Sequence, residues 1–401
     1  MKQPDIIFGE HDEATLAQLR DVASRAVRTA LMADGHVGYI MPIGGVAAYR
    51  EQVSVTGVGF DIACGNAAIR TNLKRDDLDD LNAIADTIHQ NLSFGIGRKN
   101  TMPDAPVDHP LFESDAWNAL PGNVREELRE KARSQLGTIG SGNHYVDVFE
   151  DETGTIWVGV HFGSRGFGHT VASGFLALAQ GAKWGARVPE REALLDLDSD
   201  LGSRYWALMV LAGEYAYAGR EWVARKVVEM LGGEELELVH NHHNFAWREV
   251  HGGEELIVVR KGATPAWPGQ KSFVGGSMGD DSVILQGTVD ADPIVRDRQE
   301  RAMFSTIHGA GRVMSRTQAA GRRRRNGDVI KEGAISPQMM KSWLAERNII
   351  LRGGGLDESP HVYRRLDKVI EQQLGTVEVL HRLKPLIVVM AGADEFDPYK
   401  D

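Results

Sequence analysis

Residues 155–168 read TIWVGVHFGSRGFG. Thr155 to Phe162 is an apolar run of strand length, and the glycines at 163, 166 and 168 end it in a turn. The segment that follows, 170–231, is rich in Ala and Leu with helical spacing, interrupted near 186–200. Similar grammar recurs along the chain. Residues 12–33 carry helix-like spacing at Leu16, Leu19, Val22, Ala23 and Ala26, and 35–66 alternate like short strands joined by tight turns. Helices are expected over 76–92, 113–135, 337–347 and 362–374, with a polar, proline-containing loop at 98–110. Strands are expected in LELVHNHHNF (236–245), EELIVVRKGA (254–263), DDSVILQG (280–287) and PLIVVMAG (385–392). Glycine-rich turns run from residue 35 to residue 355 with no fixed-period repeat and no low-complexity linker. One α+β domain over residues 1–401 is therefore predicted, with mixed β-sheets flanked by helices and a helical insertion near 170–231.

At 42% hydrophobic and 25% charged, the 401 residues have ample material for a core. A single cysteine excludes an internal disulfide framework and fits a reducing compartment. The start, MKQPDIIFGEHDEAT, lacks the basic-then-apolar pattern of a signal peptide, and the apolar stretch YWALMVLAGEYAYAG is broken by Glu214. A cytoplasmic protein without membrane association is expected. The net charge of −11 argues against a broad non-specific nucleic-acid coat but leaves room for a local basic groove.

The one cysteine lies in VGFDIACGN (58–66), three places after Asp61 and among glycines at 57, 59 and 65. A lone cysteine is ordinarily a small buried hydrophobe; the alternative is that thiolate and carboxylate share a metal, which requires partners elsewhere. Histidines supply candidates: His144 in TIGSGNHYVD, His161 at the end of the opening strand, His240, His242 and His243 in VHNHHN, and His308 in STIHGAGRVMSR. Four or more of them stand beside Gly, Asn or Ser, where the backbone can approach a ligand closely. Strand alternation puts His240 and His242 on one face and Val239, Asn241 and His243 on the other, without saying which face meets a metal. A closed structural zinc site would show paired cysteines, so this mixed set suits an open catalytic site, and a thiolate can bridge two ions of the kind used in phosphoryl chemistry. Arg165, Arg312 and Arg316, next to these histidines, are phosphate candidates. Arg260 and Lys261 end a strand, and the run Arg322 to Arg325 reads equally as a solvated loop.

GFDIACG, GSGNHYVD, HFGSRGFG, HHN, RKGA, GGSMG and HGAGRVMSR occur in the order found in the RtcB family of RNA ligases, and the resemblance runs from about Asp34 to Ala391. It implies an enzyme that joins an RNA 3′-phosphate or 2′,3′-cyclic phosphate end to a 5′-hydroxyl end in RNA splicing or repair, using GTP and two Mn2+ ions. By the resemblance, His308 takes GMP from GTP as a covalent phosphoramidate, GMP moves to the RNA 3′-phosphate, and the 5′-hydroxyl displaces it. The resemblance also implies that Cys64 bridges both metals, with Asp61 and His144 completing one site and His161 and His243 the other. The nucleotide pocket it implies comprises Asn143, His144, Asp147, His243, Asn244, Gly275, Gly276, Ser277, Met278, Ser282, His308, Gly309, Ala310, Gly311 and Tyr363. RNA is the expected partner, with Arg165, Arg312 and Arg316 as candidates to contact it; the resemblance leaves room for an archease-type activator and says nothing of oligomeric state.

Three positions depart from the family pattern. Asp147 stands where Glu is usual, Gly275 replaces a proline before GSMG, and Met390-Ala391 occupies the place of a lysine–glycine that contacts guanine. Without that lysine, either the tail supplies the discrimination, with Asp394 or Glu395 accepting from guanine, or the preference for GTP is less sharp than in the family; GTP is still expected to be favoured over ATP. The competing reading is a metal-dependent phosphoesterase of RNA terminal or cyclic phosphates on the same scaffold, which would need the metals but not His308.

Overall fold

The computed structural model describes residues 3–323, 329–392 and 395. The strand expected at 155–162 is Thr155–Phe162, buried at every position. Its side chains alternate between two apolar layers. Val158 and Val160 pack with Ile69, Val223, Ala224 and Val227, while Trp157 packs with Ala68, Phe149 and Phe273. This strand lies inside a sheet whose order is Lys271–Val274, Ser282–Gly287, Val377–Met390, Tyr145–Asp151, Thr155–Phe162, Gly65–Lys74 and Glu235–His242, with Ile350–Arg352 added in parallel on Val377–Met390. A second sheet runs Ile6–Ile7, Arg28–His36, Ile43–Tyr49, Glu254–Lys261 and Asn244–His251. Glu235–His242 is the last strand of the first sheet and Asn244–His251 of the second, so the chain crosses between sheets at His243.

The helical stretch expected over 170–231 appears as Arg165–Ala179 and Asp200–Met230. It is a layer of the core rather than an appendage: Val223, Ala224 and Val227 of the second helix cover one face of the larger sheet. None of the described helices is long and apolar enough to cross a membrane.

Several expected boundaries move. The helix foreseen over 12–33 is Glu13–Ala23, and Arg28–His36 is a strand. Residues 29–35 are buried on both faces, so their apolar run carries no period that tells helix from strand. The helix at 113–135 starts only at Gly122, after two short 3-10 turns, because Pro121 cannot sit inside it. Between 362 and 374 only Leu366–Glu371 is α-helical. The strand expected to continue through 245 breaks at His243, and the last strand is longer than foreseen, Val377–Met390. Arg260 is a core residue: fully buried, it donates to both oxygens of Glu249 at 2.7 and 3.0 Å.

The register places the functional segments at one end of the larger sheet. Gly65 faces both Phe162 and His242, and Tyr145 faces both His161 and Met390. Gly65 fits there only because it lacks a side chain; a Cβ would collide with the Asn241 carbonyl oxygen and lie 2.8 Å from the His242 Cα. Gly65→Ala is expected to force the two strands apart and destabilise the fold by about 1–3 kcal/mol. Gly122→Ala, where nothing lies within 4 Å, should stay within about 0.5 kcal/mol of wild type. Denaturant midpoints of the two variants check this; equal midpoints would contradict the register.

Candidate metal centre and adjoining cleft

Cys64 is delivered by a tight turn ahead of its strand. Its amide donates to the Asp61 carbonyl at 3.1 Å, and its own carbonyl accepts from His243 N at 2.8 Å across the seam. His144 immediately precedes the strand Tyr145–Asp151, His161 is the penultimate residue of Thr155–Phe162, and His243 lies between the two sheets. These four strand ends converge. The Cys64 Sγ lies 3.7 Å from His144 Nε2 and 3.5 Å from His161 Nε2, and His144 Nε2 lies 3.2 Å from Asp61 Oδ2.

Among the described residues, two groups of three donors have all ligand atoms within 4.8 Å of one another: Cys64, His161 and His243, and Asp61, Cys64 and His144. The thiol belongs to both. The spacing suits metal ligation, since donors 2.0–2.3 Å from one ion lie roughly 3–3.8 Å from each other. The hydrogen bonding also suits it. His161 Nδ1 is 2.6 Å from Asn66 Oδ1, which fixes its proton there and leaves Nε2 free. The Nδ1 atoms of His144 and His243 are buried without a hydrogen-bond partner. The alternation left open in the sequence is resolved at the same place: His240 and His242 turn toward Arg220 of the long helix, and His243 turns toward the thiol.

Burial pushes the Cys64 thiol well above its ordinary range, and the Asp61 carboxylate reinforces the shift. Burial also works to raise Asp61, but the hydrogen bond from and charge of His144 outweigh it and bring the carboxyl down to about 2. His161 and His243 are held well below the usual imidazole range, mainly by burial. The site thus offers a carboxylate, neutral imidazoles and a thiol that an incoming cation must deprotonate.

Above this floor lies a cleft of about 250 Å³. Asn143, Asp147, His243, Asn244, Gly275 to Met278, Ser282, His308 to Gly311 and Tyr363 all line it, together with Asp61, Cys64 and His161, whereas His144 is not on its wall. His308 follows the strand Ser305–Ile307, and its ring stands 5.0 Å from that of His243. Its Nδ1 is 2.5 Å from Oδ2 of the fully buried Asp34, which also accepts from the backbone N–H groups of His308 and Gly309 at 3.0 and 3.3 Å. Burial alone would raise the Asp34 carboxyl; the charge and hydrogen bonds of His308 keep it below its usual range. Among the described residues no protein group bonds the His308 Nε2.

Among the described residues, two polar groups of the wall besides His243 Nδ1 are left unsatisfied. Asp147 Oδ1 and the Tyr145 hydroxyl are buried without partners, as suits a cleft completed by a polar ligand. Burial raises Asp147 well above the ordinary carboxyl range, so it can donate a proton as well as accept one. The Tyr145 hydroxyl occupies the space a Cβ at Gly275 would need, which accounts for glycine at that departure from the family pattern.

The arginines are more engaged than their sequence positions suggest. Arg316 pairs with Asp357 at 2.9 Å and with Glu358, and Arg312 donates to the Tyr363 hydroxyl at 3.0 Å and the Asp357 carbonyl at 2.8 Å. Arg165 is half-buried beside the turn that carries His144, donating to Thr138 Oγ1 and the Gly95 carbonyl, both at 3.3 Å. Arg322 is exposed, and Arg324 and Arg325 lie outside the described residues. Met390 is on the cleft wall, packed with Met278 and Val388. Glu395 is not: it accepts from Arg98 at 2.8 Å and from the Ile96 amide, while Asp394 lies outside the described residues. Asp34, Asn66, Arg220 and Glu358 escaped the sequence reading. Asn66, adjoining the cysteine in CGN, was the one with a local signal.

Residues 14–391 match the family model described as tRNA-splicing ligase RtcB. Similar curated proteins include the tRNA-splicing ligase RtcB of Archaeoglobus fulgidus, 32% identical with 90% of this chain and 87% of the relative covered. That of Nanoarchaeum equitans is 31% identical, with 94% and 92% covered. The RNA-splicing ligase RtcB of Mycobacterium bovis is 31% identical, with 88% and 95% covered.

A shared thiol has a distinctive signature in metal titration. Cys64→Ala should weaken both ions, whereas Asp61→Ala should weaken mainly one. Because the metal-free thiol is held protonated, uptake should release a proton, and apparent affinity should rise with pH up to the thiol's raised pKa. Calorimetry in buffers of differing ionisation enthalpy checks the proton count. Full metal binding by Cys64→Ala would return the cysteine to a purely packing role.

Proposed function

The chain belongs to the RtcB family, and from that membership we propose that it is an RNA ligase that joins a 3′-phosphate or 2′,3′-cyclic phosphate end to a 5′-hydroxyl end through GMP carried on His308. The observation that carries this reading is the His308–Asp34 pair at 2.5 Å beside a metal-ligand cluster. With its proton on Nδ1 and held by the Asp34 carboxylate, the imidazole presents the Nε2 lone pair to the cleft. Nε2 attacks the α-phosphorus of GTP, the N–P bond forms, and pyrophosphate leaves with the bridging oxygen. The ring gains positive charge as that bond forms, and Asp34 offsets it. An oxygen of the RNA 3′-phosphate then displaces His308 from phosphorus, which returns the neutral imidazole. Finally the RNA 5′-hydroxyl attacks the activated 3′-phosphate and gives its proton to solvent, the P–O bond to GMP breaks, and GMP departs; a 2′,3′-cyclic phosphate end enters the same sequence after water opens it to the 3′-phosphate.

Two divalent cations, Mn2+ by family likeness, would be held by Asp61, Cys64 and His144 and by Cys64, His161 and His243, and would supply charge neutralisation for the phosphates. Asn143, Asn244 and the 275–278 turn would orient the nucleotide, and Tyr363, whose hydroxyl donates to Glu358, would bound the base. With the carboxylates of Asp357 and Glu358 already engaging Arg312 and Arg316, those arginines would meet RNA phosphate only in competition with them. Glu395 is committed to Arg98 and Asp394 lies outside the described residues, so the cleft wall, Asp147 included, is proposed as a source of guanine selectivity beside the tail.

Labelling with α-³²P-GTP tests this reading. Wild type should hold acid-labile, alkali-stable GMP. His308→Ala should hold none while keeping its metals, and Asp34→Asn should slow adduct formation by roughly 100-fold or more. A His308→Ala chain that still processes RNA ends would favour the phosphoesterase reading.

A further inference from the structure

Arg220 projects inward from the helix Asp200–Met230 and is fully buried. Among the described residues no carboxylate lies within ion-pairing distance of it, which is costly for a buried charge unless its N–H groups all find acceptors. Four of its five N–H groups do, and the acceptors are unusual. Nε donates to His240 Nε2 at 2.9 Å. One terminal nitrogen donates to the carbonyls of Ala63 at 2.9 Å and Phe162 at 2.6 Å, and the other to His242 Nδ1 at 2.8 Å. The His242 ring is itself stacked on Tyr217 at 3.8 Å, so the guanidinium and its acceptor are both fixed by the same helix.

Three of these acceptors sit one position from a proposed metal ligand: Ala63 beside Cys64, Phe162 beside His161, and His242 beside His243. Cys64, His161 and His243 are the three members of one triad. Asp61 and His144, which complete the other, have no such tie to Arg220. Ala63 also needs an anchor. Its φ is +60°, a region non-glycine residues seldom occupy, and it persists because its amide bonds the Asn244 carbonyl at 2.7 Å and its carbonyl bonds Arg220.

We propose that Arg220 is a positioning residue whose planar fork sets the spacing of the three backbone segments that carry Cys64, His161 and His243, and so preorganises that metal triad far more than the other, with which it shares only Cys64. The proposal rests on the two-metal reading above. A fork that grips one carbonyl from a turn, one from a strand and two imidazoles from a second strand is a geometric device, so charge alone does not replace it. Loss of such an outer support typically weakens a metal by about 10–100-fold.

Cobalt titration of the full chain, followed by thiolate-to-cobalt charge-transfer absorption, reads each triad when the other is disabled. In a His144→Ala background, Arg220→Gln should weaken cobalt by about 10–100-fold; in a His243→Ala background it should change affinity by no more than a few-fold. Arg220→Lys should behave as Arg220→Gln. The proposal is overturned by equal effects on the two triads, by wild-type affinity in Arg220→Gln, by full rescue in Arg220→Lys, or by a lowered metal-free melting temperature with both affinities intact. If Arg220→Gln does not fold, Arg220→Lys carries the same comparison. A wild-type chain that takes up only one ion refutes the two-metal reading itself, whereas two ions with an indifferent Arg220 refute the clamp alone.

Discussion

The His243 amide donates to the Cys64 carbonyl at 2.8 Å, and the site depends on that bond. It ties the start of one strand to the point where the chain leaves the larger sheet for the smaller one. Gly65, next in sequence, lies between Phe162 and His242 in the same register row. A one-residue slip in either pairing would turn the ligands to the opposite face. The metal-ligand cluster is therefore a property of sheet register. Loops contribute the turns, but the strands fix the distances.

Electrostatics then separates two kinds of histidine. His161 and His243 are buried beside other imidazoles and are held uncharged, the form that ligates metal. His308 has a buried carboxylate 2.5 Å from Nδ1, which would offset the charge developing on it in the proposed role of nucleophile. His240 and His242 point the other way, toward Arg220, and serve as acceptors. One short sequence, VHNHHN, thus holds a histidine for the cleft and two for the support behind it.

Much of this was legible in the sequence and some was not, for identifiable reasons. Strand alternation separated His243 from His240 and His242 correctly, because the period of two survives up to the break at His243. It could not choose the face, since that depends on what packs against the sheet. Residues 28–33 were misread as helix because a strand buried on both faces has no alternation to reveal it. Asp34 and Arg220 left no trace for a different reason: each acts on residues far away in the chain, His308 in one case and residues 63, 162 and 242 in the other. The ion pairs of Arg312 and Arg316 were not legible, because the carboxylates that engage them lie more than forty positions downstream.

The account stands or falls on which side chain receives the nucleotide. Besides His308, the other nitrogen to consider is that of Lys261, a buried lysine whose pKa is lowered to about 8 by burial and whose ammonium donates to the Thr56 carbonyl at 3.1 Å. Peptide mapping of the chain after incubation with GTP and Mn2+, under alkaline conditions that preserve a phosphoramidate, should find GMP on the peptide containing His308 and on no other. GMP on Lys261, or no adduct at all, would contradict the account.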